Sequence, residues 1–251
     1  MQIDDNHAFS FHMQDGPRAV MPRIMSEVHP RSLLDVGCGI GTWLRAATEL
    51  GIADFFGVET FDIPEGRLLV PPALFLQLDL TQPWDLGRRF DLALCLEVAE
   101  HLDQAYAGIL IDALVQHADS IFFSAACPGQ EGEHHVNCQW PAFWQQLFNA
   151  RGYVCRDDLR WQIWDDPNVE PWYKQNMFMA RLDPAKAGQE PRIKAIVHSE
   201  MWSGVTPTPK EYLRQIEQGS MPPLWYTTVV PLAYLAKLKR RLKRPKVAPG
   251  G

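Results

Sequence analysis

The 251-residue sequence has no CxxC pair, no uninterrupted apolar run of eighteen residues and no acidic residue after Glu217. Its five cysteines (Cys38, Cys95, Cys127, Cys138, Cys155) are odd in number and widely spread, so they are expected to be free thiols in a reducing cytoplasm. Without a long apolar run, no segment is expected to span a bilayer. The first thirty residues carry acids and no apolar core, so no secretory leader is expected and the chain is assigned to the cytoplasm. A surplus of positive charge is also missing. Thirty acids against twenty-four bases give a net charge of −6, which argues against a general nucleic-acid binder. What is present is ordinary globular composition, 46% hydrophobic and 22% charged, which excludes disordered, collagenous and coiled-coil chains. At this length a core needs neither disulfides nor a metal.

Short apolar runs alternate with helical patterns from about residue 31 to 182. Strands are predicted at Ser32–Val36, Asp54–Val58, Ala73–Leu78, Phe90–Leu96 and Ser120–Ala125, and helices at Thr42–Leu50 and Gln104–His117, the latter capped by Asp103. Strands alternating with helices imply βαβ units: an α/β fold with a doubly wound, mostly parallel seven-stranded sheet and helices on both faces. Residues 1–30 read as a lead-in with a helix over Arg18–Val28, residues 31–182 as the main domain, and 183–251 as an extension with a helix over Pro209–Gln218. Seven of the chain's basic residues lie after residue 236, which leaves the remainder at −13. This tail, from Tyr234 to Lys246, spaces leucines through cations. It suits peripheral contact with an anionic membrane, contact with nucleic acid, or a helix resting on the acidic body.

The sharpest motif is Leu33-Leu34-Asp35-Val36-Gly37-Cys38-Gly39-Ile40-Gly41-Thr42. Glycines between a strand and a helix allow a tight turn and close approach of backbone N–H groups to a ligand. A dinucleotide fingerprint requires glycine at 37, 39 and 42, and position 42 is threonine, which disfavours a nicotinamide pyrophosphate. Glu59 follows the second strand, about twenty residues on, where a doubly wound fold places an acid over a ribose. Asp62 competes for that role. Asp79 is placed to accept from an adenine amino group, and Asp35 to hold a cationic amino-acid moiety. Acids around glycines suit an adenosine bearing positive charge better than one bearing phosphates.

These residues resemble the class I S-adenosylmethionine-dependent methyltransferases. The 33–42 segment is similar to that family's first motif, Glu59 to its ribose-binding acid, and Asp79-Leu80 to its adenine-contacting position. Phe90 to Leu102, with its Glu97-x-x-Glu100-His101-Leu102 ending, is similar to its fourth-strand motif. The resemblance covers roughly residues 30–182. It implies a Rossmann-like fold, S-adenosyl-L-methionine as cofactor, and a cofactor site built from Asp35, Gly37, Cys38, Gly39, Glu59, Asp79, Leu80, Leu96 and Glu97.

Ligands of open α/β sheets bind beyond the carboxyl ends of the strands. Chemistry is therefore expected at Glu97, Glu100 and His101 after the fourth strand and at Ser124 to Gly129 after the fifth. If the acceptor is a hydroxyl, a base must take its proton, and His135 and His101 are the candidates. His135 lies in a glycine-containing loop after the fifth strand that suits a lid. His134, Asn137, Trp140 and Trp172 are candidate acceptor contacts, because aromatic planes beside amides suit a sugar-bearing or cyclic molecule. No third ligand is spaced around Glu131–His135, so no metal is expected. The predicted activity is O-methylation of a small-molecule hydroxyl. N-methylation, methylation of RNA, a nicotinamide oxidoreductase and a non-catalytic adenosine-binding module are the alternatives. Oligomeric state has no signature here.

Overall fold

A computed structural model describes residues 14–201. Its elements run α1 (Asp15–Val28), β1 (Ser32–Val36), α2 (Thr42–Glu49), β2 (Asp54–Glu59), β3 (Phe75–Gln77), β4 (Leu92–Leu96), α3 (Ala107–His117), β5 (Ser120–Ser124), α4 (Pro141–Asn149), β6 (Tyr153–Arg156), α5 (Asp158–Ile163), α6 (Pro171–Asn176) and β7 (Phe178–Leu182). The seven strands form one sheet in the order β3-β2-β1-β4-β5-β7-β6. Pairing is parallel from β3 through β5, and β7 runs antiparallel to both β5 and β6. The doubly wound, mostly parallel sheet expected from the alternation of patterns is the observed architecture. The predicted helix over Pro209–Gln218 and the basic tail lie outside the described residues.

Strand alternation divides the core in two. Leu33, Leu92, Leu94 and Phe122 face α1, α2 and α5, packing with Val20, Ile24, Leu44, Ala47 and Ile163. Their neighbours Leu34, Ala93, Cys95, Ile121 and Phe123 face α3 and α4, packing with Leu110, Leu114, Trp144 and Phe148. Because successive side chains point to opposite faces, the middle of a central strand flanked by two helical layers is apolar on both faces, and polar residues such as Ser120, Ser124 and Asp35 fall at or near strand ends. All five residues of β4 and of β5 are accordingly buried.

The differences from the sequence prediction lie at element ends. The third strand begins at Phe75, not Ala73, because Pro71 and Pro72 start a 3-10 turn at Pro72–Leu74. The fourth begins at Leu92, with Phe90 joined only by a single bridge to Ala118. Asp103 does cap, as predicted, but the turn it caps is a 3-10 segment, Gln104–Tyr106, that runs on into α3. The residues following β7 lie against the body. Glu190 accepts from Gln145, Asn149 and the Cys155 amide, and Ile193 enters the core. The described part of the predicted extension thus shares the core of the sheet domain.

The strand order reverses between β1 and β4. Two βαβ windings diverge there and leave a crevice above the carboxyl ends of the strands. Among the described residues no helix is long and apolar enough to cross a membrane.

Candidate active site

The glycine loop closes the carboxyl end of β1. Gly37, Gly39 and Gly41 have φ of 72°, 53° and 89°, the left-handed region that residues with a Cβ seldom enter. Gly37 has no room for one either, since a Cβ there would meet Val98 Cγ2 at 2.3 Å. The Gly37 and Cys38 N–H groups donate to the Val58 carbonyl at 2.8 and 3.1 Å, which fastens the turn to β2. Gly41 then serves as N-cap of α2. The third glycine thus closes the turn one residue earlier than a dinucleotide fingerprint requires.

Glu59 ends β2 and is buried against this turn. One carboxylate oxygen accepts from the Gly39 N–H at 2.7 Å, the other from the Thr60 N–H at 2.7 Å. The first oxygen, Oε2, keeps a second lone pair for a hydroxyl donor, whereas Oε1 also accepts from the Phe61 N–H at 3.3 Å. Burial pushes its pKa up, and the backbone donors partly offset this. Asp35, at 2% exposure, has one carboxylate oxygen with no hydrogen-bond partner. Burial, and secondarily the nearby Glu59 charge, push its pKa to about 8. Asp79 is exposed and forms an Asx turn in which the Thr81 hydroxyl and N–H donate to one oxygen, lowering its pKa. Its second oxygen is uncommitted by that turn. Asp62 is exposed, and Glu59 is the acid held by the glycine loop. Cys38, Leu80 and Leu96 pack their side chains into the core, and the Cys38 N–H and carbonyl are both engaged in holding the glycine turn.

A second cluster stands at the carboxyl ends of β4 and β5. Glu97 takes a left-handed conformation (φ 56°), a strained choice for a residue with a Cβ, and its N–H donates to the Ser124 carbonyl at 3.0 Å. Its carboxylate accepts from Asn176 at 3.1 Å and Gln130 at 3.0 Å. Glu100 is fully buried, and no donor meets either carboxylate oxygen in hydrogen-bonding geometry, although the N–H groups of Glu100 and Ala126 and the Glu97 carboxyl act on it from nearby. Burial pushes both acids up, and Glu100 rises further through the charge of Glu97. No cation figures among the groups that act on Asp35, Glu59, Glu97 or Glu100. Three buried acids and the half-buried Glu97, without a counter-ion, make this crevice a receptor for positive charge.

The loop after β5 closes on the same place. The Val136 and Asn137 N–H groups donate to the Glu100 carbonyl at 2.9 and 3.0 Å. His135 Nδ1 lies 3.1 Å from the Gln130 carbonyl; since a carbonyl only accepts, Nδ1 carries the proton and Nε2 keeps its lone pair. The His101 and His135 rings meet edge to face at 5.0 Å. Burial, and next the neighbouring His135, lower the His101 pKa to about 4, so the ring is neutral at pH 7.

The fold thus brings Glu97, Glu100, His101 and His135 together. His134 points its exposed side chain elsewhere, and buried Asn137 donates to the Ala99 carbonyl and accepts from Gln139. Trp140 caps α4, and Trp172 on α6 neighbours Tyr173. Gln130 and Asn176, which hold Glu97 together with Ser124, carry no sequence signature beyond the polar runs Pro128–Gln130 and Lys174–Asn176. Sequence spacing offered the loop histidines no metal partner, and the fold supplies Glu100 and His101: one donor atom of each and one of His135 lie within 4.8 Å of one another.

A strand-reversal crevice with a glycine turn, a ribose-position acid and a buried acid for a cation defines a class I S-adenosylmethionine-dependent methyltransferase. The chain belongs to the methyltransferase-domain family, whose model matches residues 12–156, more than half of its length. Among solved structures it resembles DesVI of Streptomyces venezuelae (17% identity, TM-score 0.52, 72% of this chain and 100% of that one). Magnesium protoporphyrin IX methyltransferase from Synechocystis PCC 6803, with bound SAH, is similar at 16% identity and TM-score 0.52, over 73% of this chain and 90% of that one. Ribosomal RNA large subunit methyltransferase E of Caulobacter sp. (strain K31) is 39% identical over 51 residues, which is 20% of this chain and 21% of that protein.

S-adenosylmethionine is the cofactor, and the residues fit it. The orphaned Asp35 oxygen suits its ammonium group, and the open lone pair of Glu59 Oε2 suits a ribose hydroxyl.

Proposed function

We propose that the protein transfers a methyl group from S-adenosylmethionine to a hydroxyl of a small molecule, a sugar-bearing or secondary-metabolite acceptor. The observation that carries this reading is the pair of imidazoles, His101 and His135, meeting at the carboxyl end of β4 with His101 held neutral. When bound, the cofactor supplies an electrophilic methyl group on a sulfonium. The protein's own part is then to position the acceptor in line and to take its proton. His135 is the base: its Nδ1–H is tied to Gln130, so its Nε2 is free to receive a proton, and His101 backs it from 5.0 Å. Gln130 and Asn176 hold Glu97 beneath the reacting centre. Trp140 and Trp172 are the proposed acceptor contacts, with His134 and Asn137 at the loop that closes over it.

Replacing His135 by alanine is expected to lower turnover about 10²-fold while leaving S-adenosylhomocysteine affinity intact. Unchanged turnover in both His101→Ala and His135→Ala would remove histidine from the mechanism. A purified protein that binds the cofactor yet methylates no hydroxylated acceptor would instead be an adenosine-binding module or an N-methyltransferase. The short match to a ribosomal RNA methyltransferase favours a second reading, an RNA acceptor. The net charge of −13 outside the basic tail weighs against it. Methyl uptake by RNA against small hydroxylated acceptors, compared at two salt concentrations, separates the two.

A further inference from the structure

We propose that Glu100, His101 and His135 form a binding site for a single divalent cation of the first transition row. Three independent observations meet here. One donor atom from each residue lies within 4.8 Å of the others, although His135 is 34 positions along the chain from His101. Glu100 is 0% exposed, and neither of its carboxylate oxygens has a donor in hydrogen-bonding geometry. Buried polar groups in folded proteins nearly always have a partner, and two orphaned oxygens beside two imidazoles lack a positive one. Finally, His135 donates Nδ1–H to a backbone carbonyl, which fixes the tautomer and leaves Nε2 free, the outer-shell arrangement of a metal-ligating histidine.

The backbone preorganises the trio. Val136 and Asn137 both donate to the carbonyl of Glu100 itself, so the His135 loop is tied to the turn that carries the other two ligands. Gly132 sits directly under the His135 ring, where a Cβ would lie 2.2 Å from it, so the loop sequence leaves room for this ring position. Ligand atoms on one ion at about 2.1 Å stand about 3.0–3.5 Å apart, so modest side-chain rotation closes the set. Two imidazoles and one carboxylate favour manganese, cobalt or zinc over the all-oxygen preference of calcium and magnesium. Three protein ligands leave positions open. At the acceptor end of the crevice an ion with open positions would lower the pKa of a bound hydroxyl, whose proton would pass to solvent, and His135 Nε2 would then serve as a ligand in place of its role as base. That task rests on the O-methylation reading, whereas the binding itself does not.

The test is titration of the chelator-stripped full chain with Co²⁺, read by visible absorption, with S-adenosylhomocysteine binding measured on the same samples. One Co²⁺ per chain with micromolar affinity is expected. His135→Gln should weaken it at least tenfold and the exposed His134→Gln should leave it unchanged, with S-adenosylhomocysteine bound normally by all three. Glu100→Gln should also lose the ion, and His135→Gln stands in for it if that buried variant does not fold. Absence of Co²⁺ uptake at millimolar metal by protein that binds S-adenosylhomocysteine would overturn the proposal, as would uptake indifferent to His135→Gln. Cobalt binding without methyl transfer to any hydroxylated acceptor would uphold the ion site and defeat the O-methylation reading. Transfer by protein that binds no ion would do the reverse.

Discussion

Two ends of one crevice bury acids in different ways. At the cofactor end, Glu59 is satisfied by the N–H groups of Gly39 and Thr60, one its own neighbour and the other twenty residues away. At the acceptor end, Glu97 is held by Gln130 and Asn176, side chains 33 and 79 positions distant. The first arrangement is made by one βαβ unit. The second forms only when β4, the loop after β5 and α6 have all docked. Backbone donors in a tight turn hold a carboxylate rigidly with little side-chain entropy to lose, whereas a net of amides is adjustable and shares its donors among several groups. The cofactor end is therefore expected to be stiff and tolerant of nothing, the acceptor end to be softer and tunable.

The largest effect that would sharpen this contrast is expected at Glu59. Glu59→Ala removes the proposed ribose acceptor and frees the N–H groups of Gly39, Thr60 and Phe61. At about 1.5–3 kcal/mol for each hydrogen bond to a charged group, S-adenosylhomocysteine affinity should fall on the order of 10²-fold or more by calorimetry. His135→Ala comes next, with turnover down about 10²-fold and the cofactor bound as before. If Glu59→Ala spared binding, or His135→Ala abolished it, the division into two ends would fail.

A pH effect of intermediate size follows from Asp35. Its folded pKa, raised to about 8 from an ordinary 3.8, means that the free protein carries it protonated at neutral pH. An ammonium ligand needs the carboxylate. S-adenosylhomocysteine affinity should therefore rise as pH climbs toward about 8 and level off above, by up to tenfold per pH unit below that value. The sign for stability is opposite. The folded state holds a proton that the unfolded chain has released, so this contribution is greatest below the unfolded value and is lost as pH rises through about 8. Asp35→Asn should flatten both curves, measured by calorimetry and by thermal melting. Flat curves in the wild type would show Asp35 ionised and the cationic pocket misassigned.

The smallest effect is expected at Asn176. Asn176→Ala leaves Glu97 with Gln130 as its side-chain amide partner and costs about 1–2 kcal/mol of stability. Turnover should drop several-fold with cofactor affinity unchanged, because the amide net loosens without coming apart. A loss as large as that of Glu59→Ala would show the acceptor end to be as rigid as the cofactor end.

The legibility of the two ends follows the same division. The turn from Asp35 to Gly41 and the acid at Glu59 were readable because a strand, a left-handed glycine turn and a helix are local structures that require particular residue types at particular offsets. The apolar runs of β4 and β5 were readable because the middle of a strand covered on both faces is apolar on successive residues, with the serines of β5 at its two ends. The start of β3 was misread by two residues, since the 3-10 turn that Pro71 and Pro72 set in place of strand is not apparent in an apolar run. Ser124 was expected at the site from its place after the fifth strand, whereas Gln130 and Asn176 were not assigned to it, because a polar side chain carries no mark of the group it will meet.

By itself the amino-acid sequence determined the class of fold, the glycine turn and the acid beside it at Glu59, all products of short-range periodicity and turn chemistry. Only the tertiary structure decided which acids are orphaned, that His135 rather than His134 turns inward, and that Glu100, His101 and His135 converge. Burial and convergence depend on contacts between distant segments, and loop closure brings those together through packing energy that no local pattern encodes.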